Sequence, residues 1–209
     1  MLIDRSGSMQ SIKADMEGAL KAFLDDQKKL NGECTLTVAQ FDDELEFLFN
    51  LKPLSEIEEI KIEPRSMTAL LDSMCRLIDK AGAELATLDE ENRPDRVLFI
   101  TITDGGENAS REFTNAQLSE KIKHQEENYK WNFTYLGANQ DSFSVSQGLG
   151  ISASYSKTMN YNASTTGSMA MYASLTSAVS RFRSANSSEV TQDLFAFTGQ
   201  EQESTENAK

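Results

Sequence analysis

Apolar side chains recur at helical spacing in several parts of the chain. The runs from Met9 to Leu30, from Leu70 to Leu85 and from Met169 to Phe182 each place these side chains on one face. This spacing predicts three amphipathic helices that pack against a sheet. The charged stretch from Glu112 to Tyr129 predicts a further helix with a well-solvated face. A short helix is predicted around 143–145.

Between these helices lie runs that are typical of strands. Residues 34–41 and 44–51 alternate between apolar and polar at period two around a short acidic turn, so they predict an antiparallel hairpin. Residues 96–103 form the most hydrophobic run, as in a strand that is buried on both faces of a parallel sheet. Further strands are predicted at 1–4, 131–137 and 151–155.

The alternation of strands and helices predicts an α/β fold. We expect a doubly wound, Rossmann-like, mostly parallel six-stranded sheet with one antiparallel edge strand and helices on both faces. At 209 residues the chain has the size of one such domain.

The composition changes near the C-terminus. The predicted domain covers residues 1–183, and the sequence of 184–209 is rich in Ser, Asn, Gln, Glu and Thr. This composition predicts a disordered polar tail. One apolar island, 194–197, interrupts it. We expect the island either to dock on its own domain, which is the simpler interpretation, or to serve as a short peptide ligand.

The charge narrows the choice of partners. Twenty basic and thirty-three acidic side chains give a formal net charge of −13, which opposes binding to nucleic acid or to a membrane surface. No apolar run is long enough to span a bilayer, and no leader-like segment precedes the first strand. Cys34 and Cys75 are interpreted as small buried side chains in a reducing compartment. The sequence therefore predicts a cytoplasmic protein.

Polar side chains cluster where the predicted strands end and one helix begins. Asp4, Ser6 and Ser8 follow the first strand, Thr68 precedes the second helix, and Asp104 follows the hydrophobic strand. In a doubly wound sheet, ligands bind at the carboxyl ends of the strands. Close oxygen donors suit a hard cation. Helix capping by the hydroxyl groups is the simpler alternative.

This set of residues resembles the von Willebrand factor A (vWA) domain with its metal-ion-dependent adhesion site (MIDAS), of a bacterial or phage-like intracellular type. The resemblance implies that Ser6 and Ser8 bind the metal directly, and that Thr68 does so directly or through water. It implies that Asp4 and Asp104 hold coordinating waters or ligate directly. The implied ion is Mg²⁺, with Mn²⁺ as a substitute. The implied function is non-enzymatic binding of a partner protein that offers a Glu or Asp to the metal.

Five neighbouring residues modify this interpretation. Ser66 and Met67 stand where many vWA domains have glycine before the threonine, so the threonine loop is expected to differ. Arg5 is placed to pair with a partner carboxylate. Asp72 is interpreted as a helix cap or a solvated acid. For Glu107, support of the metal site and a solvated loop position are equally weighted.

Two enzymatic or nucleotide-binding alternatives fit less well. A magnesium-dependent phosphotransferase or hydrolase of the haloacid-dehalogenase type needs a second acid two residues after the first, where this chain has Ser6. A nucleotide-binding domain needs a glycine-rich phosphate loop after the first strand, and residues 5–8 do not provide one. The single histidine, His124, lies on the charged helix and is expected at the surface.

Overall fold

The computed structural model describes residues 1–138, 142–151, 157–185 and 194–208, except for the side chain of Phe143. Its strands are β1 (Leu2–Asp4), β2 (Thr35–Phe41), β3 (Leu45–Pro53), β4 (Leu98–Thr103), β5 (Asn132–Ala138) and β6 (Thr158–Tyr161). Its α-helices are α1 (Lys13–Lys28), α2 (Leu70–Thr87), α3 (Asn115–Tyr129), α4 (Ser142–Gly148), α5 (Thr165–Ser184) and α6 (Gly199–Glu206). Short 3₁₀ turns occupy Gly7–Ser11, Leu54–Glu56 and Glu90–Asn92.

The strands form one six-stranded sheet in the order β3-β2-β1-β4-β5-β6. Strand β1 lies between β2 and β4 and is parallel to both. Strands β5 and β6 continue the parallel arrangement, whereas β3 pairs with β2 in the antiparallel direction at one edge. The predicted fold is confirmed, including the reversed edge strand.

Two hydrophobic layers cover the sheet because successive side chains of a strand point to opposite faces. Ile3 belongs to the layer that is closed by α1 and α5. Its neighbour Leu2 belongs to the other layer, which α2 and α3 close. Both side chains are fully buried. Helices therefore flank β1 on both faces, and only its ends are left for polar chemistry.

One predicted element boundary shifts. The first helical run starts as the 3₁₀ turn Gly7–Ser11, and α1 follows at Lys13. The last strand of the sheet within the described residues is β6, and the strand predicted at 151–155 stays a prediction. In β6, Met159 and Tyr161 are buried in the layer beneath α1 and α5. Residues 152–156 lie outside the described part of the chain.

The predicted disorder of the tail is wrong for residues 194–208. Phe195 is fully buried, and its ring packs edge-on against Phe182 and Phe197, with ring centroids 6.2 and 5.1 Å apart. The polar helix α6 follows, and Glu201 forms an ion pair with Arg181 of α5 at 2.7 Å. The apolar island thus docks on its own domain, because two aromatic rings bury enough surface to order a polar segment. Residues 186–193 lie outside the described part of the chain.

No helix within the described ranges is long and apolar enough to cross a membrane.

Candidate functional site

Two neighbouring strands end side by side at the candidate site. Strand β1 ends at Asp4, and β4 ends at Thr103, directly before Asp104. Because β1 and β4 are parallel neighbours, their carboxyl ends meet at one edge of the sheet. The 3₁₀ turn Gly7–Ser11 then brings Ser8 back over this edge.

Short hydrogen bonds connect the polar groups of this edge. The buried Asp4 carboxylate accepts from the Ser6 backbone N–H at 2.6 Å and from the Thr103 hydroxyl at 2.5 Å. The Ser6 and Ser8 hydroxyl oxygens lie 3.0 Å apart. The Ser8 hydroxyl donates to Asp104 at 2.7 Å. Side chains from both strand ends thus form one continuous network.

Thr68, in the loop before α2, lies beside this network. A Cβ atom added to Gly105 would lie 3.5 Å from Thr68 Oγ1, 3.8 Å from Ser8 Oγ and 3.9 Å from Asp4 Oδ2. Only glycine leaves this space open, since any side chain would enter it. Three of the five predicted residues therefore surround one small volume, and Ser6 and Asp104 are hydrogen-bonded to Ser8.

Burial raises the pKa of both carboxylates of the site. Burial raises the pKa of Asp4 to about 6, against the hydrogen bonds from Thr103 and Ser6, which lower it. Burial also raises the pKa of Asp104. Within the described ranges, no lysine, arginine or histidine forms an ion pair with either acid. Their negative charge is therefore costly in the protein alone, and a bound cation would remove that cost.

The donor set fits a small hard cation. Metal–oxygen distances of about 2.1 Å place neighbouring oxygens of an octahedral magnesium shell roughly 3 Å apart. The contacts from Ser8 to Ser6 and to Asp104, at 3.0 and 2.7 Å, are close to that spacing. No group of three or more His, Cys, Asp or Glu side chains suited to a metal occurs among the described residues. Hydroxyl and carboxylate oxygens are ligands that suit magnesium or manganese better than zinc, which is usually bound by nitrogen and sulfur.

Arg5 does not take the role that was predicted for it. Its side chain is only 2% exposed, and its Nε lies 3.4 Å from Asp42 Oδ2. Its guanidinium also donates to Glu46. The prediction that Arg5 faces a partner carboxylate is wrong, because these two acids already hold it inside the domain.

The Asp72 and Glu107 carboxylates both accept hydrogen bonds from backbone N–H groups. The buried Asp72 carboxylate accepts from the N–H groups of residues 111, 112 and 113, with shortest distances of 2.8, 3.0 and 2.9 Å. The prediction that Asp72 is a cap or a solvated acid is therefore wrong. Glu107 accepts from the Leu71 N–H at 2.9 Å and from the backbone of its own loop. It therefore braces the start of α2 beside Thr68.

Sequence reasoning missed two residues of this region. Thr103 orients Asp4 through the hydrogen bond described above, and its position next to Asp104 at the end of a buried strand was an available signal. Asn108 binds the backbone of Thr68. No local sequence pattern predicts this contact, since the two residues are forty positions apart.

The geometry defines a doubly wound α/β domain with a cluster of polar side chains at the carboxyl ends of its strands. We call this cluster the cradle; it consists of Asp4, Ser6, Ser8, Thr68 and Asp104. Comparison with solved structures then gives the particular fold, which is that of vWA domains. Similar structures include a von Willebrand factor type A protein from Catenulispora acidiphila, with a TM-score of 0.59, 14% identity and 86% of this chain covered. The SpRpn10 VWA domain has a TM-score of 0.52 and 14% identity, with 93% of this chain and 96% of that chain covered.

A third similar structure is proximal thread matrix protein 1 from the mussel byssus, with a TM-score of 0.56, 15% identity and 84% of this chain covered. The chain spans 42% of the Catenulispora protein and 44% of the byssus protein. No protein-family model and no curated protein matches the chain. These likenesses, all at low identity, establish the fold.

Proposed function

We propose that this chain is a metal-dependent protein-interaction module that binds an acidic side chain of a partner through a Mg²⁺ ion. The observation that carries the proposal is the cradle beside Gly105, where hydroxyl and carboxylate oxygens from separate segments meet and no basic side chain of the described residues pairs with the carboxylates. The vWA fold supports it by analogy.

The residues of the cradle could bind the ion and still leave it able to bind a partner carboxylate. Ser6, Ser8 and Thr68 would offer neutral hydroxyl oxygens to the ion, and Asp4 and Asp104 would offer carboxylates directly or through water. A shell with many neutral ligands leaves positive charge on the bound ion. Ser8 is exposed, whereas Asp4, Ser6 and Thr68 are buried. A partner would therefore approach from the side of Ser8.

The expected partner ligand is a Glu or Asp, because a carboxylate is a hard anionic donor for such an ion. We propose a non-enzymatic role, since Ser6 occupies the position where a phosphotransferase of the haloacid-dehalogenase type needs its second acid. Its hydroxyl is within hydrogen-bonding distance of the Ser8 hydroxyl. A cytoplasmic location and a bacterial or phage-like type belong to the same proposal and rest on the sequence.

The first experiment is a calorimetric titration of Mn²⁺ and Mg²⁺ into the chain and into Asp104→Ala. Asp89→Ala is the matched control, because Asp89 is an exposed acid that precedes β4 at the opposite edge of the sheet. We expect saturable one-to-one binding that is lost in Asp104→Ala and kept in Asp89→Ala. Absence of binding to the unmodified chain would overturn the proposal of a resident ion.

Partner capture is tested with two immobilised peptides that differ only by Glu in one and Gln in the other. The Mn²⁺-loaded chain is expected to bind the Glu peptide more strongly, and a chelator is expected to abolish the difference. Equal retention on both peptides, with and without chelator, would contradict the role of the carboxylate.

A further inference from the structure

Asn108 holds the backbone of Thr68 from both sides. The Thr68 N–H donates to Asn108 Oδ1 at 2.9 Å, and the Asn108 N–H donates to the Thr68 carbonyl at 3.0 Å. The Ala109 N–H reaches the same carbonyl at 3.2 Å. Asn108 therefore binds the N–H group of Thr68, and Asn108 and Ala109 together bind its carbonyl group.

The same loop completes the start of α2. The first N–H groups of a helix have no partner inside it and are normally satisfied by a capping side chain. The residue at the cap position is Ala69, which has no side-chain oxygen. Glu107 and Ser110 accept instead from the N–H groups of Leu71 and Asp72, at 2.9 and 3.1 Å. The loop after β4 thus supplies the cap that the helix lacks.

Two other backbone hydrogen bonds hold the threonine loop: the Gly7 N–H donates to the Ser66 carbonyl at 3.2 Å, and the Ala69 N–H donates to the Asp42 carbonyl at 2.7 Å. Ser66 has a φ of 54°, in the left-handed region that is unfavourable for serine. The Met67 side chain is 52% exposed. Among the described residues, the hydrogen bonds to the backbone of Thr68 itself come from Asn108 and Ala109, so these contacts bear directly on the position of the Thr68 hydroxyl.

Asn108 also belongs to the loop that carries Asp104, four residues earlier. Its contacts with Thr68 therefore join two candidate ligands that come from different parts of the chain. Movement of either loop would change the distance between the Thr68 hydroxyl and the Asp104 carboxylate.

We propose that Asn108 is a positioning residue of the metal site, which acts by fixing the Thr68 hydroxyl relative to Asp104. This inference rests on the proposed function, because it assumes that these two residues bind a common ion. Loss of a group that orients a metal ligand lowers metal affinity by about 10-fold or more.

The test is the Mn²⁺ affinity of the full chain, of Asp104→Ala and of three asparagine variants. Asn108→Ala removes the acceptor for the Thr68 N–H and is expected to weaken Mn²⁺ binding about 10-fold. Asn108→Asp keeps an acceptor oxygen at that place and is expected to recover most of the affinity. The control Asn128→Ala loses an asparagine that donates to the His124 carbonyl on the exposed face of α3, and its affinity is expected to stay unchanged.

Cooperative unfolding in urea, with chelator present, checks that each variant is folded. Asn108 is exposed, so its truncation removes little buried surface. Should Asn108→Ala lose cooperative unfolding, Asn108→Ser takes its place, because the shorter hydroxyl does not reach the Thr68 N–H. The same weakening is then expected.

The outcomes separate this inference from the proposed function. If Asn108→Ala binds Mn²⁺ as tightly as the unmodified chain while Asp104→Ala does not bind, the positioning role is overturned and the metal site stands. The positioning role is also overturned if Asn108→Asp fails to improve on Asn108→Ala. If the unmodified chain binds no Mn²⁺, both proposals fall.

Discussion

Two buried acids at the same edge of the sheet differ in how their charge is balanced. Asp42, directly after β2, is fully buried and lies 3.4 Å from Arg5 Nε and 2.5 Å from Arg65 Nε. Asp4, at the end of the neighbouring strand β1, is equally buried, and its hydrogen-bond partners in the described part of the chain are the Ser6 N–H and the Thr103 hydroxyl. One carboxylate is neutralised inside the protein, and the other is not.

This difference separates a structural acid from a candidate binding acid. A buried ion pair whose partners are all present holds its neighbours in place, and Asp42 in addition accepts from the Ala69 N–H through its backbone carbonyl. A buried carboxylate without a cation is costly, and it is tolerated where it serves a function. The contrast gives four predictions for the free energy of unfolding.

The largest effect is expected from Asp42→Asn. The substitution leaves the buried Arg5 without the charge of the buried Asp42 carboxylate, so it should lower the free energy of unfolding by about 3 kcal/mol. The lower end of the usual range applies because Glu46 still contacts Arg5. Urea unfolding at pH 7.5 with chelator measures the change. A loss below half this value would mean that the two acids do not differ as argued.

The same substitution at Asp4 should act in the opposite direction. The pKa of Asp4 in the folded protein is about 6, against an ordinary value of 3.8, so folding favours the protonated form. The contribution of protonated Asp4 to the stability of the fold is fully present below pH 4 and is lost as the pH rises through 6. Above pH 6, Asp4→Asn should therefore raise the free energy of unfolding by roughly 2 to 3 kcal/mol.

Chelator-treated protein is unfolded in urea between pH 4 and pH 8 to measure this difference, with Asp89→Asn as the exposed control. The stability gain of Asp4→Asn should appear between pH 4 and 6 and should be absent for the control. A destabilised Asp4→Asn at pH 7.5 would show that the Asp4 charge stabilises the fold.

Mn²⁺ should stabilise the chain through the acids that lack a basic partner. At a free concentration of one hundred times its dissociation constant, the ion should add about 2.7 kcal/mol to the free energy of unfolding. Asp104→Ala should abolish the gain, whereas Asp42→Asn should keep it. Equal stabilisation of Asp104→Ala and the unmodified chain would assign the effect to another site.

The smallest effect is expected at Met67, on the rim of the candidate site. Its side chain is 52% exposed, and that of Met169 on α5 is 61% exposed. Each methionine-to-alanine substitution should change the free energy of unfolding by no more than about 0.5 kcal/mol. A clearly larger loss for Met67→Ala than for Met169→Ala would show that Met67 supports the threonine loop.

The fold could be predicted from the sequence because its elements follow local periodicity. The hairpin of β2 and β3 and the apolar stripe of α2 are each visible in a short window. The residues of the candidate site could also be proposed from the sequence, since Asp4, Ser6 and Ser8 are close in sequence and Asp104 directly follows a strongly hydrophobic strand. Parallel strands bring such ends together whatever the intervening chain contains.

The sequence by itself determined which faces are buried and which strand ends carry oxygen donors, because both follow from the spacing of neighbouring residues. Only the tertiary structure decided that Arg5 is held by Asp42 and Glu46, that Asn108 fixes Thr68, and that Phe195 docks beside Phe182. Each of these contacts joins residues that are distant in the chain. Their free energy depends on burial and on the direction of a hydrogen bond, and neither quantity exists before the sheet has brought the segments together.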